Sequence, residues 1–258
     1  MPTRHPLCMA LALAGVAVAA LGLAGCESKD DDTLTVALTG QYPPFSTYDE
    51  NGNLIGFDVD VARAIAAEMG REVEFVTTKW DAMINGLQAG KYDAIIGSMA
   101  VTPKREKAVS FSEPYYRSGA QLYVHERHAE KIQGIADCAA KPVGVVRGET
   151  YQHYLEQNRP DVNVRTYGGT PEIFQEVSNG RLVGFVSDRL VGLYQIEQAG
   201  EPFVPVGDLL YAERMAIPVR KDRPELLREI NAALQALKES GKLDEIHRKW
   251  FGRPPGGP

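Results

Sequence analysis

Arg105 falls in the first turn of a helix that Thr102-Pro103 is expected to open. It follows a strand-like run, Ala94-Ile95-Ile96, and a small-residue turn, Gly97-Ser98. A strand ending in Gly-Ser exposes main-chain groups at its C-terminal edge, where open α/β sheets bind ligands. Arg105 would add a planar, permanently charged fork that meets a carboxylate through two hydrogen bonds. The segment from Tyr92 to Gly119 therefore reads as a carboxylate-binding site.

Other chemistry-bearing residues form no comparable set. His125 and His128 have helical metal spacing but stand in a charged stretch without a third ligand nearby, so a solvated pair is expected. Gly97-Ser98 lacks the flanking glycines of a nucleophile elbow, and neither a G-x-G-x-x-G nor a P-loop pattern occurs. Cys138 is a lone thiol beside small residues, which reads as buried filler. No metal and no cofactor is expected.

The elements that must position these residues alternate between strand and helix signals, the pattern of an α/β fold. Thr33 to Leu38 reads as a strand, and Asp58 as the N-cap of a helix with Val59, Ala62, Ile65, Ala66 and Met69 at helical spacing, closed by Gly70. Val73 to Val76, a helix from Asp81 to Gln88, and Ala94 to Gly97 follow. A second series runs from Pro142: strand Val143 to Val146, helix Thr150 to Gln157, strand Val162 to Tyr167, helix Pro171 to Val177, strand Gly184 to Val186. Two series imply two lobes. The β-prone stretches Gln121 to Val124 and Met215 to Val219 are candidate crossovers. If both are, the helices from Pro224 to Trp250 return to the first lobe and leave a cleft, a common small-molecule site.

Residues 1–25 carry Arg4 and His5 ahead of an apolar run from Leu7 to Leu23, the layout of a secretory signal. The run ends in Leu23-Ala24-Gly25-Cys26, which matches the bacterial lipobox, so Cys26 is expected to be lipidated and to begin the mature chain; a membrane-spanning anchor is the alternative. Residues 26–32 form a charged tether with nothing apolar to bury, able to hold the body about 25 Å from a membrane. With Cys8 in the leader and Cys26 lipidated, Cys138 has no disulfide partner, and about 230 residues must hold together through their core. The leader takes Arg4 from a total of 28 Lys and Arg, leaving 27 against 34 acidic residues and a charge near −7. A nucleic-acid partner is not expected of such a chain.

Across nearly all of the mature sequence the chain resembles the bacterial extracellular solute-binding proteins of the amino-acid ABC-transporter type. The resemblance rests on Tyr42-Pro43-Pro44-Phe45, Gly56-Phe57-Asp58-Val59-Asp60, Trp80-Asp81-Ala82, the Arg105 segment, Val143-Gly144-Val145, Arg147-Gly148 and Lys249-Trp250-Phe251, in this order. It implies a two-lobed, periplasmic-binding-protein-like (type II) α/β fold, with two hinge strands and a ligand cleft between the lobes. The first lobe would hold residues 33–121 and 216–252, the second residues 122–215. A free amino acid would be the ligand, an ABC permease the partner, and a monomer in the periplasm or at the cell surface, anchored to a bacterial membrane, the acting form.

Carried over by the resemblance, Arg105 would hold the ligand α-carboxylate, helped by main-chain N–H groups near Gly148 and Thr150 at a helix start, where anions are favoured. Asp188 would receive the α-amino group, and Ser98 would touch the same end of the ligand. Tyr42 and Trp80 would wall its side chain. Each also has a bland reading: Arg105 as a solvated first-turn residue, Asp188 as a helix cap, Tyr42 and Trp80 as core. Three departures bear on the substrate. Ala100 replaces a usual Ser or Thr, Thr39 replaces an acid found in several polar and basic amino-acid binders, and Glu149 replaces a small hydroxyl residue. The carboxylate of Glu149 would meet a cationic ligand side chain, repel the α-carboxylate, or point to solvent. A polar or basic amino acid is favoured.

The competing class is an enzyme. Thr39 to Ser46 resembles the opening of periplasmic cyclohexadienyl dehydratases, which act on prephenate or arogenate with this fold. Such an elimination needs a general acid, and the position just beyond Asp188 where that family carries its carboxylate holds Val191 here. No catalytic residue is therefore assigned.

Overall fold

The computed structural model describes residues 32–252. The expected leader, the expected lipidation site Cys26 and most of the expected tether lie outside the described residues.

Strand β1 (Thr33–Leu38) leads into a small hairpin, β2 (Thr47–Tyr48) with β3 (Leu54–Ile55). Then come α1 (Phe57–Glu68), β4 (Glu72–Thr77), α2 (Met83–Gln88), β5 (Ala94–Ile95), α3 (Pro103–Glu106) and β6 (Ser110–Phe111). The second series is β7 (Tyr116–His125), β8 (Pro142–Val146), α4 (Thr150–Asn158), β9 (Asn163–Tyr167), α5 (Thr170–Ser178), β10 (Gly184–Asp188), α6 (Arg189–Glu197) and β11 (Phe203–Met215). Strand β12 (Pro218–Val219) and helices α7 (Pro224–Glu239) and α8 (Lys242–Phe251) close the chain.

These strands form two five-stranded sheets, in the orders β4-β1-β5-β12-β6 and β11-β7-β10-β8-β9. Strands β4, β1 and β5 are parallel, as are β9, β8 and β10, so helices must cross over between them. Strand β12 pairs antiparallel with β5, so the chain returns to the first sheet before α7 and α8, which pack on α1. The fold is two-lobed α/β, and both lobes cover their sheets with helices. Helix α7 buries Leu226, Ile230, Ala233, Leu234 and Leu237, one helical stripe, behind Pro224 in its first turn.

The crossovers differ from the sequence expectation in length. Instead of two short stretches, β7 and β11 run ten and thirteen residues and pair antiparallel with each other, from Phe203 opposite His125 to Met215 opposite Tyr116, with a bulge between Val206 and Tyr211. Long-range pairing of two strands far apart in sequence sets these lengths, and no local pattern records it. At its far end β11 meets the first lobe: the N–H of Val101 donates to Arg214 O at 2.9 Å, and that of Ala216 to Met99 O at 3.1 Å.

Helix α1 also departs from expectation. It starts at Phe57 behind Gly56, one residue before the expected cap at Asp58, and Asp58 caps nothing. Gly56 adopts φ 142°, where a Cβ would come within 2.1 Å of Phe45 O. Only glycine allows that approach. The helix then points the Asp58 side chain into the core, where it is fully buried.

Candidate functional site

The turn after β5 is fixed from behind by Asp58. Ser98 Oγ donates to Asp58 Oδ2 at 2.8 Å, the Tyr115 hydroxyl donates to Asp58 Oδ1 at 2.7 Å, and the Ser98 N–H donates to the Tyr115 oxygen at 2.9 Å. Together they hold Ser98 at φ 56°, a left-handed conformation uncommon outside glycine. Burial raises the Asp58 pKa to about 7 against the lowering effect of its two hydroxyl donors. The hydroxyl and N–H of Ser98 are thus engaged with Asp58 and Tyr115. These bonds shape the turn.

Thr102 caps α3 by accepting the Arg105 N–H at 3.2 Å, with Pro103 in the first turn, as the sequence suggested. The guanidinium of Arg105 donates through Nη1 to Ala100 O at 2.9 Å and through Nη2 to Gly148 O at 3.4 Å, and lies 5.3 Å from the Trp80 ring centroid. Arg105 is thus no solvated residue. The backbone of Ala100, not a side chain, contributes here by anchoring the arginine. Burial lowers the Arg105 pKa, while the charges of Glu213 and Glu149 raise it.

Across from it, Glu149 caps α4 by position but its side chain makes no cap bond. The Gly148 N–H donates to Gln152 Oε1 at 2.8 Å, so this donor, expected for the ligand carboxylate, is already engaged; Gln152 reaches back one turn to it. Thr150 remains, at the first position of α4, whose opening N–H groups have no partner within the helix. Gly148 itself sits at φ 79° with its Cα facing Asp81 and Trp80.

Asp188 ends β10 and caps α6: its Oδ1 accepts from the Leu190 N–H and from Ser118 Oγ, both at 2.7 Å. Its Oδ2 is buried without a hydrogen bond. The cap and ligand readings of Asp188 therefore describe different oxygens of one carboxyl. Burial raises its pKa to about 7. Tyr42 is buried and stacks on Phe45 with centroids 5.2 Å apart, and the charges of Glu149 and Asp188 help burial to raise its pKa. The hydroxyl of Thr39 ties the same loop together, bonding Ser46 Oγ at 3.3 Å and accepting the Gln41 N–H at 3.2 Å.

A cleft of about 910 Å³ brings together Trp80, Arg105, Gly148 and Thr150 of the expected set. Asp188, Tyr42, Ser98 and Ala100 are buried and do not line it. Between the two groups lie two acids. Glu149, left open by the sequence, is 6 % exposed, and burial with the nearby Glu213 charge pushes its pKa to about 8. Glu213, on β11, lines the cleft and was missed altogether. Its pKa is raised by burial and lowered by the hydroxyls of Thr150, Tyr151 and Tyr211 and the charge of Arg105. The signal was the burial alternation of Glu213 and Met215 between exposed Ala212 and Arg214, which needs the strand to be recognised first.

Among the described residues no cluster of three or more His, Cys, Asp or Glu could hold a metal ion, and no helix is long and apolar enough to cross a membrane. Cys138 is buried and its thiol is pushed up to about 11 by that burial, as inert filler would be.

With this geometry in view, the comparisons with known proteins converge. L-cystine-binding protein TcyJ of Escherichia coli (strain K12) is 34% identical over 247 residues, 95% of this chain and 93% of that protein. The solved structure of the ancestral amino acid-binding protein AncCDT-1, a precursor of cyclohexadienyl dehydratase, is similar with a TM-score of 0.81 at 38% identity, covering 85% of this chain and 96% of that one. An ancestral arginine-binding protein bound to arginine matches with a TM-score of 0.81 at 38% identity, covering 86% and 99%. The family model for bacterial extracellular solute-binding proteins, family 3, matches residues 34–253, and the chain belongs to that family.

Proposed function

We propose that the protein binds a free α-amino acid with a polar or basic side chain and delivers it to the permease of an ABC importer, held at a bacterial membrane by a lipid on Cys26. In this reading the lobes divide at residues 33–121 with 216–252 and at 122–215, and β7 and β11 carry the hinges. The observation that carries it is the placement of two opposite charges on different lobes: the partly buried Arg105 on α3 beside the cleft, and the buried Asp188 on β10 with Oδ2 unpartnered. A zwitterion supplies one partner to each, so it binds best when the lobes are closed and shifts the population that way. The names of the relatives above support an amino acid as ligand. The test is a thermal-shift screen of the purified protein against the twenty amino acids. One or a few should raise the unfolding midpoint, because a ligand bound only by the folded state stabilises it.

One feature favours the dehydratase alternative: burial raises the pKa of Glu149, the direction a general acid needs. Against it, Val191 is fully buried in α6 with no carboxylate to offer. Turnover of prephenate or arogenate by the purified protein would overturn the binding-only reading.

A further inference from the structure

Two buried acids, Glu149 and Glu213, face the partly buried Arg105, and a third, Asp188, lies near Glu149. In the ligand-free site Arg105 partly neutralises both glutamates, since its charge lowers the pKa of each. A bound α-carboxylate would redirect that guanidinium to itself, and the α-ammonium would satisfy Asp188. A neutral amino acid adds as much negative as positive charge and leaves Glu149 and Glu213 without a counter-charge. Each already has an oxygen, Oε2, buried without a hydrogen bond. Buried carboxylates in that condition cost several kcal/mol or take up protons.

We propose that Glu149 and Glu213 form a second anionic subsite that receives the cationic side chain, ammonium or guanidinium, of the bound amino acid. The inference rests on the amino-acid reading of the site and names its substrate class. The two glutamates come from separate elements, Glu149 from the start of α4 and Glu213 from β11, so a ligand between them contacts the second lobe and a crossover strand together. The hydroxyls of Thr150, Tyr151 and Tyr211 lie on the Glu213 side of the pair and lower its pKa. The groups facing the pair are Arg105, Asp188, Tyr42, Tyr151 and Tyr211, of which Arg105 alone is cationic. Burial and the neighbouring Glu213 charge favour the protonated form of Glu149, and an entering cation opposes it. Cation entry therefore releases protons, and affinity rises with pH.

The experiment is calorimetric titration of the purified protein with L-arginine and L-lysine, each against the uncharged L-citrulline and L-glutamine. At least one cationic ligand should bind about 100-fold or more tighter than citrulline, and the Glu149→Gln with Glu213→Gln double variant should shrink that ratio to about tenfold or less. Each single variant should shrink it in part, and both are near-isosteric, so folding is checked by their unfolding midpoints. Proton release on arginine binding, read in buffers of different ionisation enthalpy, should vanish in the double variant. Tightest binding of an uncharged amino acid, or an unchanged ratio in the double variant, would overturn the subsite and leave the amino-acid reading intact. Absence of binding to any amino acid would overturn both.

Discussion

The hydroxyl of Ser118 donates to Asp188 Oδ1 at 2.7 Å, and this bond turns the other carboxylate oxygen, Oδ2, away from the helix cap. Ser118 lies on β7 opposite Glu213 on β11, so one rung of the crossover ladder carries a residue that orients Asp188 and a second acid of the site. Asp188→Asn retains a good N-cap for α6 and removes the charge. Amino-acid binding should weaken by about 2 to 5 kcal/mol while the ligand-free unfolding midpoint stays near wild type. Calorimetry and thermal unfolding check the two halves separately.

Asp58 is expected to act on stability. Asp58→Ala leaves the hydroxyls of Ser98 and Tyr115 buried without their acceptor and releases the left-handed turn at Ser98. A loss of about 2 to 4 kcal/mol in urea unfolding follows from leaving buried donors unmet. A loss within about 0.5 kcal/mol, the range of ordinary surface changes, would contradict that role.

Much of this site is legible in sequence because its signals are local. Thr102-Pro103 announces the turn that carries Arg105, and the strand ending at Asp188 announces the cap. Asp58 reads as a cap in the sequence because the conformation that starts α1 belongs to Gly56 and depends on the close approach of Phe45, a contact that the 3.6-residue pattern does not encode. The bond between Ser98 and Asp58 is not legible either, because the two are forty residues apart. Glu213 escaped notice for the same reason: its inward direction is set by pairing with β7, nearly a hundred residues earlier in the chain. Side chains whose orientation depends on distant pairing are invisible to periodicity.

The buried acids set a pH dependence of stability. Asp58 and Asp188 are raised to about 7 and Glu149 to about 8, chiefly by burial. Unfolding returns them to ordinary carboxylate values near 4. From about pH 4 to about pH 8 the folded state therefore binds more protons than the unfolded one, so stability falls as pH rises through that window. Ligand-free protein should unfold at a higher temperature near about pH 5 than near about pH 8. The opposite order would contradict the burial of these carboxyls.

Trp80 lies against the Arg105 guanidinium in the cleft, whereas Trp250 donates its Nε1–H to Asp60 Oδ2 at 2.8 Å, near the end of α8. Ligand binding should therefore change the emission of Trp80 and not that of Trp250. Trp80→Phe should abolish the fluorescence response while Trp250→Phe preserves it.

The most direct measurement is a calorimetric titration of wild type and Arg105→Ala with the amino acid that stabilises the wild type most. Truncating one side of a buried, hydrogen-bonded charge pair costs about 2 to 5 kcal/mol, roughly 30-fold to several-thousandfold in affinity. A loss in that range is expected if Arg105 holds the ligand carboxylate. Near-normal affinity in the variant would contradict it.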